Sequence, residues 1–208
     1  MALELISLSK LFGTKEVIPE WNVKWESDSR IGIFGNNGSG KSTFLKLLSG
    51  QLSPSSGKII ISGIPEENLS QKSSYCGPDL DLFKKFTIKE HFEYHNSLKP
   101  LRSGNSIHEI GIASNDLNKP LGSFSSGMKQ RVKLALSIFS NSPLLLLDEP
   151  TSHLDTEGIK WYQECLSSNL SPSTEFNDRI LIVASNHRQE ETYNCTSYYL
   201  PSGKTFVP

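Results

Sequence analysis

The chain has 208 residues, 36% of them hydrophobic, which is enough for one sizeable α/β core. Lys and Arg number 21 against 22 Asp and Glu, a formal net charge of -1 that removes any field argument for nucleic acid as a partner. Cys76, Cys165 and Cys195 stand far apart and offer neither a metal-ligand spacing nor a disulfide framework, so the reduced thiols of a cytosolic protein are expected. The N-terminus shows no basic region followed by an apolar core, and no apolar run approaches a membrane span. The expectation is a soluble chain that meets a membrane only through partners.

In chain order, residues 3–8 read as a first strand and Leu11-Phe12-Gly13 as a turn. Trp21-Asn22-Val23-Lys24-Trp25 alternates as a half-exposed strand. The apolar run 30–34 is a strand feeding Gly35-Asn36-Asn37-Gly38-Ser39-Gly40-Lys41-Ser42-Thr43, and the spacing from Gly35 to Gly40-Lys41-Ser42 is the P-loop pattern. Its chemistry follows from its residue types. Glycines let backbone N–H groups point at phosphate oxygens, and the helix start adds its positive dipole end. Lys41 can reach the terminal phosphates, and the Ser42 hydroxyl can ligate Mg²⁺. That helix covers 41–48 and ends near Gly50, and a β-branched strand follows at 58–62.

From Ser73 to about Leu121 the character changes. Tyr75-Cys76 is a short strand, Phe83 to Leu98 has amphipathic helical spacing, and a short helix is expected at 107–110, together a small, mostly helical insertion. Residues 125–139 form a strong helix with Met128, Val132, Ala135, Leu136 and Phe139 on one face. Phe124-Ser125-Ser126-Gly127-Met128 at its start offers backbone donors to an anion, although plain capping by Ser125 or Ser126 accounts for the same residues.

The buried strand 144–147 carries Asp148 to the sheet's C-terminal edge, where it can hold Mg²⁺, with Glu149 beside it as a general base for an attacking water. A third helix covers 155–166 with Asp155 as N-cap, and 167–178 is a polar loop. The strand 179–185 delivers His187 to the same edge, within reach of a terminal phosphate. A terminal hairpin is expected to pair 198–200 with 204–207. Buried strands alternating with helices imply a largely parallel core sheet.

Taken together, the motifs resemble those of the ATP-binding cassette ATPases, the nucleotide-binding subunits of ABC transporters, over essentially the whole chain. Residues 35–43 look like Walker A and 144–149 like Walker B. Phe124–Met128 matches the LSGGQ-type signature in position, Ser152-His153-Leu154-Asp155 looks like the D-loop, and His187 looks like the switch histidine. Phe12 sits where the family stacks an aromatic on adenine, with a plain core or surface aromatic as the alternative.

The resemblance implies an α/β P-loop NTPase fold with a mostly parallel sheet, an N-terminal antiparallel β portion and a small helical subdomain. It implies a single domain, 1–208, with core 1–75 and 122–208 and helical subdomain about 76–121. It implies ATP and Mg²⁺ as cofactors and Lys41, Glu149 and His187 as catalytic groups. Two cassettes, alike or different, would dimerise head to tail so that Ser125 and Gly127 meet the γ-phosphate in trans. The partner would be a membrane permease on another chain, reached from the cytoplasmic face. A soluble, non-transport ABC-type ATPase and a weakly hydrolysing assembly module are the alternatives.

The sequence also departs from the family pattern. Ser126 and Met128 replace the signature's second glycine and its glutamine, with a modest effect expected on closure. Pro78 falls where the Q-loop glutamine is expected, leaving Asp79 or a water to substitute.

Overall fold

The structure is a computed structural model that describes residues 1–62, 68–102, 104–170, 179–186, 189–199 and 201. Two sheets carry the fold. In the first, β1 (Ala2–Phe12) pairs antiparallel with β2 (Lys15–Glu26) on one side and β4 (Ser56–Ile61) on the other. The second, five-stranded sheet contains β3 (Arg30–Phe34), β5 (Ser73–Cys76), β6 (Leu144–Asp148), β7 (Ile180–Ser185) and β8 (Ser197–Tyr199). Its order is β5-β6-β7-β3-β8, and every neighbouring pair is parallel.

The central strands are apolar throughout because both of their faces are covered, as expected of a parallel sheet. Leu144 and Leu146 of β6, with Ile180, Ile182 and Ala184 of β7, join one core shared with the antiparallel sheet and with α1 (Lys41–Leu48). There Trp21 stacks on Phe44 with ring centroids 4.4 Å apart. Leu145, Leu147, Leu181 and Val183 point the other way, into a core with α3 (Ile88–Leu98), α4 (Ser126–Phe139) and α5 (Thr156–Asn169). The period-two alternation of side chains thus splits one apolar run between two cores.

Helix ends follow local chemistry. After α1, Gly50 N–H bonds the Leu47 carbonyl and Gln51 N–H the Lys46 carbonyl, closing the last turn. Asp155 accepts from Gly158 N–H as the N-cap of α5. Residues 107–110 form a single 3₁₀ turn.

One expectation needs correction. The helical spacing seen from Phe83 is not helical that early: α3 begins only after Thr87, whose side chain and that of Glu90 form a reciprocal capping box. Phe83 lies in the preceding turn, exposed, with its ring against His91. β8 pairs in parallel with β3 and so joins the central sheet, and the expected second hairpin arm, 204–207, lies outside the described residues. An unexpected single turn, α2 (Leu69–Lys72), leads into β5. Among the described residues no helix is long and apolar enough to cross a membrane.

Candidate active site

In the parallel sheet β7 lies between β6 and β3, and the registers place Phe34 beside Ser185 and Ala184 beside Asp148. The loops leaving the three strands therefore open at one edge, the usual ligand edge of such sheets. Residues 35–40 wrap there into α1. Gly40 forms its N-cap at φ 102°, a left-handed conformation that favours glycine, and a Cβ at this position would come within 3.0 Å of the Val17 carbonyl. The exposed Asn36, Asn37 and Gly38 form the tip of the loop, and Ser39 N–H bonds the Asn36 carbonyl.

Phe12, Asn37, Gly38, Gly40, Lys41, Ser42, Thr43 and Glu149 line one cleft of about 650 Å³. Phe12 is 49% exposed at the end of β1, with the Lys10 ammonium 5.1 Å from its ring centroid. It is a surface ring on the cleft wall and not a core residue.

Lys41 is buried, 5% exposed. Its ammonium donates to the Gly35 carbonyl at 2.8 Å, to the Asn36 carbonyl at 3.2 Å and to Asn186 Oδ1. Burial lowers its pKa, and the carboxylates of Glu149, Asp148 and Glu191 act in the opposite sense. Asp148 is 2% exposed, and burial raises its pKa, opposed by a hydrogen bond from Ser42 and reinforced by neighbouring Glu149.

Asp148 Oδ2 is buried without a hydrogen-bond partner, and so is Ser39 Oγ. A buried carboxylate oxygen left unpaired beside the Ser42 hydroxyl is costly unless a cation completes it. The donor set also suits Mg²⁺, which binds through one or two carboxylates, waters and substrate phosphates. Ser42 and Asp148 therefore fit the metal.

Glu149 takes φ 47°, and its N–H bonds the Ala184 carbonyl. This turns the chain sharply out of β6 and brings the carboxylate to the cleft, where Oε1 accepts from Asn186 Nδ2 at 2.7 Å. Behind it, the buried Glu191 accepts from Thr151 Oγ1 at 2.9 Å, and Gln130 Nε2 donates to the Pro150 carbonyl, so the segment after Glu149 is held from two sides. His187 lies outside the described residues.

Ser125 and Gly127 are not at this cleft. They line a separate one of about 430 Å³, with His153 and Asp155. Ser125 Oγ accepts from Met128 N–H as the N-cap of α4, which leaves its hydroxyl proton free to donate. A Cβ on Gly127 would meet the His153 carbonyl at 2.9 Å, so the signature-like turn and the D-loop-like turn need glycine to pack.

Pro78 and Asp79 are both exposed. The Asp79 carboxylate takes Tyr75 Oη at 2.9 Å and the Lys46 ammonium at 2.8 Å, committing it to a clamp between β5 and α1. Sequence reasoning missed Asn186. Its only sequence signal is its place, the residue after a buried strand in the sheet's middle.

A P-loop cradle, a carboxylate and hydroxyl pair for a hard cation and a cleft-facing glutamate define a nucleoside-triphosphate-binding α/β protein. A sequence model of the family described as ABC transporter matches residues 19–152. The chain belongs to this family, and its fold is that of the family's ATP-binding cassette. It is 28% identical over 198 residues to the Bacillus subtilis uncharacterized ABC transporter ATP-binding protein YybJ, covering 90% of this chain and 87% of that protein. With the Streptococcus pyogenes lantibiotic transport ATP-binding protein SrtF it shares 29% over 170 residues, 80% of this chain and 74% of the other. With the mouse ABC-type organic anion transporter ABCA8A it shares 29% over 147 residues, 68% of this chain but 9% of that protein. The chain likewise spans 8% of the human ATP-binding cassette sub-family A member 9. Among solved structures, an ABC transporter ATP-binding protein from Pyrococcus furiosus superimposes with a TM-score of 0.79 at 24% identity, covering 96% and 97% of the two chains.

Proposed function

We propose that this chain is the ATP-hydrolysing subunit of an ABC transporter, driving a membrane permease on another chain through ATP-dependent head-to-tail dimerisation. The second cassette is another copy or a related ABC subunit. The observation that carries this reading is the grouping of Lys41, Ser42, Asp148 and Glu149 at one sheet edge, with Asp148 Oδ2 buried and unpaired.

ATP lies along the P-loop with its adenine on Phe12. The N–H groups of residues 35–43 and the Lys41 ammonium hold the phosphates. Ser42 and Asp148 hold Mg²⁺, which neutralises phosphate charge when bound. Glu149 takes the proton of the attacking water as oxygen bonds to the γ-phosphorus and the bond to the β-phosphate oxygen breaks. His187 hydrogen-bonds the γ-phosphate. Ser125 and Gly127 contact that phosphate from the other cassette. Their position in a cleft apart from the P-loop supports this, because a single copy leaves them without a role at the nucleotide.

The chain is one ABC ATPase domain with a helical subdomain at about 76–121. Between that subdomain and the core runs an apolar groove of about 320 Å³ beside the exposed Phe83, Tyr94 and Leu98, a face suited to the permease. The protein accordingly sits in the cytoplasm at the membrane's inner face, with Asp79 and Tyr75 clamping the loop that carries Pro78.

The test has two arms. The purified chain is expected to hydrolyse ATP in a Mg²⁺-dependent way, and a pull-down from detergent-solubilised membranes is expected to recover a multi-span protein. A chain that hydrolyses ATP but recovers only soluble partners would favour the non-transport alternative.

A further inference from the structure

Because β7 lies between β6 and β3, the first residue after β7 emerges between the P-loop and Glu149. That residue is Asn186, and its carboxamide touches three groups of the cleft. Oδ1 accepts from the Lys41 ammonium, while Nδ2 donates to Glu149 Oε1 at 2.7 Å and to Asn37 Oδ1 at 2.7 Å. The partners dictate this orientation: an ammonium can only donate and a carboxylate can only accept, so oxygen must face Lys41 and nitrogen must face Glu149. Among neutral side chains, a carboxamide offers an acceptor on one arm and two donors on the other, and Asn186 uses all three.

We infer that Asn186 is a positioning residue for hydrolysis, aiming Glu149 at the P-loop while competing with phosphate for Lys41. The inference rests on the nucleotide-hydrolysing reading above. A triphosphate entering the cradle takes over the Lys41 bond from Asn186 Oδ1. The two donors of Nδ2 stay on Glu149 and Asn37, so the carboxylate remains aimed at the P-loop and not at solvent. Asn186 itself neither bonds the reacting atoms nor exchanges a proton. Its two roles act on different quantities: competition for Lys41 sets triphosphate affinity, and restraint of Glu149 sets turnover.

Two substitutions separate them. Asn186→Ala removes both roles. Triphosphate binding tightens about tenfold, the scale of one hydrogen bond to a charged group no longer competing. Turnover falls about tenfold or more, the scale of a lost hydrogen bond to a charged group. Asn186→Asp keeps the shape but presents a carboxylate, which pairs more strongly with Lys41 and cannot donate to Glu149. Its triphosphate binding weakens about tenfold, and turnover falls at least as far as in the alanine variant.

The experiment uses the full chain. Affinity is read from a ribose-labelled fluorescent ATP analogue, turnover from single-turnover ATP hydrolysis at saturation, and integrity from thermal unfolding. The inference requires affinity to move in opposite directions in the two variants while turnover falls in both. It is overturned if the alanine variant keeps turnover within about twofold of the parent, or if both variants shift affinity in the same direction. Should the alanine variant fail to fold, the isosteric Asn186→Asp decides alone: unchanged affinity and turnover there overturn the inference. A parent chain that binds the analogue without hydrolysing ATP would sink the proposed function, yet the opposed affinity shifts would remain measurable.

Discussion

Replacing Lys41 by methionine should leave the protein folded and remove most of its stabilisation by triphosphate. The side chain is 5% exposed, and its ammonium is held by the Gly35 and Asn36 carbonyls and by Asn186. Burial of that charge is costly and lowers its pKa, while the three acceptors and the nearby carboxylates offset the cost. Methionine keeps the apolar stem, so the net change in the unliganded protein should stay within about 1 kcal/mol.

The bound state loses more. A hydrogen bond to a charged phosphate contributes about 1.5–3 kcal/mol, which weakens binding roughly 10- to 100-fold. At a ligand concentration of about 100 times the parent Kd, the parent gains about 2.7 kcal/mol. A variant weakened about 50-fold gains only about 0.7 kcal/mol at the same concentration. At roughly 2–4 °C per kcal/mol for a chain of this size, the Tm increase should fall from about 5–10 °C to about 1–3 °C. Differential scanning fluorimetry with Mg²⁺ and a non-hydrolysable ATP analogue measures both halves. An undiminished Tm increase would refute the assigned phosphate contact, and a collapse of the unliganded Tm would make Lys41 a structural strut instead.

Two further outcomes follow from the geometry. Gly127→Ala would set a Cβ 2.9 Å from the His153 carbonyl, displacing the turns that line the second cleft. Sedimentation should show ATP-driven association lost while ADP binding by the single chain is unchanged. His95 is held down to about 4 by burial, with Lys99 and His91 acting in the same sense, and its Nε2 meets Ser140 Oγ at 2.6 Å. Its folded pKa lies below the unfolded value near 6.5, so the unfolded chain binds the proton first and stability is lost as pH falls from about 6.5 towards 4. Urea denaturation at pH 7 and pH 5 should differ by about 1–2 kcal/mol from this residue after allowance for its partial exposure, and His95→Gln should remove that difference.

The parts of the fold that were legible in the sequence are those with short-range causes. β3, the P-loop and α1 follow from an apolar run, a fixed glycine spacing and a 3.6-residue period within 20 residues. Ser125 and Asp155 as N-caps follow from side chains that bond the next turn. What the sequence concealed depends on pairing across the chain. The place of β8 beside β3 was hidden because nothing in Ser197-Tyr198-Tyr199 specifies β3 as its partner. Phe83 mimicked the face of a helix because its spacing fits, but the capping box at Thr87 and Glu90, legible in principle, fixes the start. Asn186 could not be singled out, because its meaning comes from strand order and not from a motif. The commitment of Asp79 to Tyr75 and Lys46 likewise appears only once β5 and α1 are adjacent.

The most direct measurement of the central claim is ATP hydrolysis and oligomeric state of Glu149→Gln, read together. Glutamine keeps the size and the oxygen that accepts from Asn186 Nδ2, but it removes the group that takes the water's proton. The account predicts a fall in turnover of at least about 100-fold, together with an ATP-dependent dimer that persists in sedimentation. Turnover equal to the parent's, or a chain that stays monomeric with saturating ATP and Mg²⁺, would contradict it.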